Sequence, residues 1–91
     1  MLKDIVEARP VGGYKLFLRF EDGVSSEVDV STLIEFRGVF EPLRDVHEFA
    51  KVRVEPELGT VVWPNGADLD PDVLYAVLTG HPIAVRTTSV R

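Results

Sequence analysis

Tyr14-Lys15-Leu16-Phe17-Leu18-Arg19-Phe20, Glu21-Asp22-Gly23 and Val24-Ser25-Ser26-Glu27-Val28-Asp29-Val30 form the stretch that decides the fold. Tyr14, Leu16, Leu18 and Phe20 alternate with Lys15, Phe17 and Arg19, so one side of an extended strand is apolar. Asp22-Gly23 follows, and Asp-Gly between two alternating runs is a strong hairpin signal. Val24, Ser26, Val28 and Val30 then share a face on the returning strand. A sheet with one covered face is the expected result.

Working outward, Ile5 to Ala8 reads as a first strand, joined through Pro10 and the turn Val11-Gly12-Gly13. After the hairpin, Ser31 fits a helix cap, Thr32 to Phe36 a short helix, and Gly38 its end. Val39 to Arg44 reads as a second helical turn with Phe40 and Leu43 in the core. Val46 and Phe49 are expected to pin the segment Asp45 to Lys51. Lys51 to Glu55 and Thr60 to Trp63 alternate and read as a second hairpin, which Pro64 stops. Asp70-Pro71-Asp72 announces the final helix: Asp70 as cap, Pro71 at the first helical position, Asp72 near the positive end of the dipole. Val73, Leu74, Val77 and Leu78 lie at helical spacing, Gly80 ends the helix, and Pro82 prevents its return. The fold class is α+β: a small antiparallel sheet of about five strands in hairpins, a short helical middle and a C-terminal helix on one face. Residues 1–82 make one domain, and residues 83–91 a tail that binds a partner or stays disordered.

Composition narrows the function classes. The chain has 91 residues, 45% hydrophobic and 27% charged, with a net charge of -5. That is enough for one modest core. The acidic balance argues against DNA, RNA or an anionic membrane as direct partners, since each needs a positive footprint. No apolar run is long enough to span a bilayer, and the N-terminus lacks a secretory pattern. The absence of cysteine removes thiol nucleophiles, disulfides and thiolate metal sites, and fits a cytoplasmic location.

The candidate chemistry gathers between Trp63 and Asp72. Asp68, Asp70 and Asp72 match the opening of a calcium loop, but Val73 stands where glycine is needed and Thr79 where a bidentate glutamate belongs. The aspartates therefore read as loop and cap, with no metal. Trp63 reads as a core anchor; if half exposed, it and Asn65 would line a recognition surface. His47 and His81 are too far apart in sequence for zinc-ligand spacing. No nucleophile, base and orienting group stand together, so an enzyme is not expected. The binding candidates are Trp63, Asn65, Asp68, Asp70 and, in the tail, Arg86.

Several of these residues carry a resemblance: Tyr14 to Phe20 with Asp22-Gly23, Val28-Asp29-Val30, Phe40 with Leu43, Phe49, and above all Trp63-Pro64-Asn65-Gly66-Ala67-Asp68-Leu69-Asp70-Pro71-Asp72-Val73-Leu74-Tyr75. Over roughly residues 2–82 the chain resembles the bacterial domain of unknown function 2442 family. The resemblance implies a small α+β domain, genes often beside small toxin-like partners, and hence an antitoxin-like role. Some relatives add a helix-turn-helix segment, which is not seen here. The expectation is a protein-interaction module whose partner is a small basic toxin-like protein, with a homodimer as a further possibility and no cofactor. Tail residues Ile83 to Thr88 are a candidate strand for a partner's sheet edge. The alternative is a small-ligand or metal-binding module at the Trp63 to Asp72 loop.

Overall fold

The structure, a computed structural model, describes residues 3–80. Its strands are β1 (Ile5–Gly12), β2 (Lys15–Phe20), β3 (Ser25–Asp29), β4 (Arg53–Glu55) and β5 (Thr60–Val62). Helix α1 is Val46–Phe49 and helix α2 is Pro71–Thr79. Two 3₁₀-helices, Val30–Thr32 and Gly38–Arg44, fill the middle. The five strands divide into two antiparallel sheets, in the orders β1-β2-β3 and β4-β5. One backbone bond from the Ile5 N–H to the Gly59 carbonyl, 2.9 Å, fastens the second hairpin beside the first sheet.

The central hairpin forms as its alternation requires. Leu16, Leu18 and Phe20 are buried, while Lys15 and Arg19 are exposed. Register pairs Leu16 with Val28, Phe17 with Glu27 and Leu18 with Ser26. The ladder is bracketed by Phe20 N–H to Val24 O and Val30 N–H to Tyr14 O, both 2.8 Å. In antiparallel pairing, residues that exchange bonds alternate with residues that do not. Ser26 and Val28 therefore bond back to β2, and Ser25 and Glu27 turn their backbone groups outward. β1 runs on past Ala8 to Gly12, with register shifts flanking Glu7 and Pro10. By the same parity, Glu7 and Arg9 bond to β2, and Pro10 faces the outer edge, where a missing N–H does no harm.

Four expectations shift. The cap before Val30–Thr32 is Asp29, not Ser31: its carboxylate accepts from the Ser31 N–H at 3.0 Å and from the Ser31 hydroxyl at 2.6 Å. Ser31 turns its hydroxyl back to Asp29 and accepts no helix N–H, and no helix spans Thr32 to Phe36. Gly38, at φ 61°, opens the second 3₁₀-helix instead of closing a first. Val46 is 43% exposed, and Phe49 alone anchors α1. On α2 the covered stripe is Leu74, Tyr75 and Leu78, with Val77 on the outside. Helix ends fall as read: the Asp70 carboxylate accepts from the Asp72 N–H, and Gly80 is left-handed at φ 76°.

Tyr75 explains the rotated stripe. Its ring meets Phe20 edge-on, with centroids 5.0 Å apart, and its hydroxyl donates to Asp22 Oδ2 at 2.6 Å. The Asp22 carboxyl is held below its ordinary value, first by that hydroxyl and then by the Val24 N–H; Tyr75 is pushed up by the same bond. A lowered carboxyl contributes stability above its ordinary titration range, and loses it as pH falls through the lowered value. The raised phenol contributes below its ordinary range, and loses it as pH climbs through the raised value. Tyr75→Phe is expected to melt below the native chain at neutral pH. Thermal scans across pH should show the gap narrowing in strong acid and in strong alkali.

Candidate functional site

The segment from Thr60 to Asp72 is bolted into the core at four places. The buried Thr60 hydroxyl donates to Leu69 O at 2.6 Å. The Trp63 indole, 1% exposed, donates from Nε1 to Phe49 O at 2.8 Å. Asn65 Nδ2 donates to Val39 O at 2.8 Å, while its Oδ1 accepts from Ala67 N–H at 3.2 Å. Asp70 caps α2.

Between Trp63 and Ala67 the chain makes a tight reversal. Gly66 N–H bonds to Trp63 O and Trp63 N–H to Ala67 O, each at 2.9 Å. Pro64 and Asn65 occupy the centre of this turn, and Gly66 supplies φ 93°. These are the residue types a type I turn followed by a left-handed residue asks for. A bridge between Val62 and Asp68 closes the loop. The Trp-Pro-Asn-Gly run is thus turn chemistry followed by a capped helix.

This placement sorts the binding candidates. Trp63 is buried and offers no face to a partner. Asn65 is exposed but holds the loop to the 3₁₀-helix Gly38–Arg44. Asp70 spends its carboxylate on the cap. Asp68 is exposed and makes no side-chain hydrogen bond among the described residues. Arg86, His81 and the tail 83–91 lie outside the described residues. Among the described residues no three acidic, histidine or cysteine side chains gather to hold a metal ion.

The wet face of the first sheet gathers what the sequence reading passed over. Glu7 accepts from Arg9 Nε and from Arg19 Nε, both at 3.0 Å. Those two bonds, Arg9 first, hold its carboxyl below the ordinary range. The Arg9 guanidinium also lies 4.4 Å from the centre of the Phe17 ring, its direct cross-strand partner. Across β2 from Phe17 stands Glu27, exposed, with no ion pair among the described residues. Arg9 and Arg19 are therefore tied to Glu7, while Glu27 on β3 and Lys15 on β2 have no ion pair among the described residues. The Asp22-Gly23 turn sets the register that places Glu27 beside Phe17, so this signal was present in the sequence.

A small α+β domain of this kind, with a covered sheet, a second hairpin and a capped C-terminal helix, defines the class. The family model described as Protein of unknown function (DUF2442) matches residues 5–80, and the chain belongs to that family. No curated protein and no solved structure matches the chain.

Three substitutions separate scaffold from surface. Trp63→Phe removes the indole donor from the Phe49 carbonyl, which keeps only the Val52 N–H at 3.3 Å, and opens a void, so denaturant titration should show a loss of about 2 kcal/mol. Asp70→Ala should cost about 1 kcal/mol through the lost cap. Asp68→Asn should stay within about 0.5 kcal/mol of the native chain.

Proposed function

We propose that this protein is a cytoplasmic protein-interaction module, the antitoxin-like half of a bacterial two-protein system, and not an enzyme. The observation that carries the reading is the uneven charge of the open sheet face. Arg9 and Arg19 share the Glu7 carboxylate, whereas Glu27 on the β3 side has no ion pair among the described residues and stands open to a partner's cation. The net charge of -5 favours a basic partner, because complementary fields steer encounter and discourage wrong contacts. The family resemblance, with its toxin-like neighbours, points the same way. No helix among the described residues is long and apolar enough to cross a membrane, which agrees with a partner met in solution.

Binding in this reading is recognition without chemistry: the acidic domain covers a basic surface on its partner. The test is affinity capture from the native bacterial extract with tagged protein, read by mass spectrometry and by mass in solution. The expected result is a stoichiometric small basic protein that dissociates at raised salt. A clean bait with no partner, or capture insensitive to salt, would overturn the proposal.

A further inference from the structure

The first sheet ends in two edges, and they are built differently. The β1 edge carries Pro10, which cannot donate, and two register shifts; its start is already bonded to Gly59. Prolines, bulges and covering segments are the devices by which sheets refuse further strands. The β3 edge has neither a proline nor a register shift, and although α2 packs near this strand, Ser25 and Glu27 stay exposed. Its pairing to β2 runs without a register shift over five residues. Ser25 and Glu27 are exposed, and their outward N–H and C=O groups meet no backbone or side-chain partner among the described residues. Asp29 marks the end of the edge, because its carbonyl is taken by the Thr32 hydroxyl at 2.7 Å.

The side chains at this edge carry a sign. Ser25, Glu27 and Asp29 point to the wet face, and the hairpin before them carries Glu21 and Asp22. A second copy of β3 laid antiparallel would set these acids against one another, and like charges directly opposite are destabilising. A strand with lysine or arginine at every second position would instead meet Glu27 and Asp29 with opposite charge. We infer that the β3 edge accepts an extended cationic segment of the protein partner as a fourth strand, with backbone bonds to Ser25 and Glu27 and charge pairing to Glu27. This inference rests on the interaction-module reading and names its surface and the chemistry of its partner. Backbone bonds would supply affinity, and alternate side chains specificity. The acid at the edge is then selective: it turns away a second copy and admits a basic strand.

The test uses the full chain and a defined probe, the blocked peptide Thr-Lys-Val-Lys-Val-Lys-Thr, with its glutamate counterpart as control. The lysine peptide should slow amide exchange at Ser25 and Glu27 in the isotope-labelled chain, and the control should not. Glu27→Pro removes an outward donor without touching a bond to β2, and proline is tolerated at sheet edges. It should weaken peptide binding about tenfold, the loss of one backbone bond and one charge pairing. Should the proline variant unfold, Glu27→Lys keeps the backbone donor and should reverse the preference between the two peptides. No binding, protection elsewhere, unchanged affinity in Glu27→Pro, or unchanged preference in Glu27→Lys would overturn the inference. So would a native dimer that Glu27→Pro dissociates without peptide, which would give the edge to a second copy. Natural partner captured equally by wild type and Glu27→Pro would remove the edge inference and leave the interaction module standing. No partner captured by wild type would remove the module itself.

Discussion

The Trp63 indole holds the parts of this domain together. Its ring lies 5.5 Å from Phe49, Phe49 lies 5.4 Å from Tyr14, and Tyr14 lies 4.7 Å from Phe36. This line of rings joins the second hairpin, α1, the start of β2 and the irregular middle. Between Val30 and Lys51 regular structure is short, so packing and side-chain bonds must hold what backbone ladders do not. The Tyr14 hydroxyl donates to the Arg44 carbonyl, and the Arg44 guanidinium to the Phe36 carbonyl at 2.7 Å. The Trp63 and Tyr14 polar handles each satisfy a backbone carbonyl while their rings pack against other aromatics.

The same constraint accounts for the most specific run in the sequence. Trp63 to Tyr75 looks at first like a binding loop, because it combines a tryptophan, an asparagine and three aspartates. In the structure each of these except Asp68 has a mechanical duty: anchor, loop tie, cap or first-turn charge. A small domain has few core residues to spare. It uses a single large aromatic, a tight glycine turn and a capped helix to close one end of the core in thirteen positions, Thr60 to Asp72. A run can be specific because it folds in one way only, without binding anything.

The surfaces that the core does not use have a charge pattern of their own. The wet face of the first sheet is partly self-neutralised by Glu7, Arg9 and Arg19, and exposed ion pairs of this kind contribute little to stability. Their effect is on charge pattern: two arginines share one carboxylate on the β1 side, and the acids Glu27 and Asp29 lie on the β3 side. The two edges differ as well: the side with the arginines is blunted by Pro10, and the side with the acids is regular. The Trp63 segment thus serves the fold, while the outward side chains of β3 stay at the surface.

Local rules made much of this legible without coordinates. The alternation at Tyr14 to Phe20, the Asp22-Gly23 turn, the Asp70-Pro71 helix start and the Gly80 stop depend on residues close in sequence, and each acts where it was read. The middle was not legible, because Asp29 outcompeted Ser31 for the cap, and two side chains two residues apart offer local propensity no way to choose. The division into two sheets, the exposure of Val46 and the rotation of α2 onto Tyr75 also lay beyond local rules. They depend on Gly59 meeting Ile5 and on Tyr75 meeting Asp22, contacts that exist only once distant segments pack. The sequence by itself determined which elements form and where they turn. Tertiary structure alone decided that Val46 is outside and that Glu27 lies on an open edge, because exposure and edge position belong to the packed whole and not to any stretch of chain.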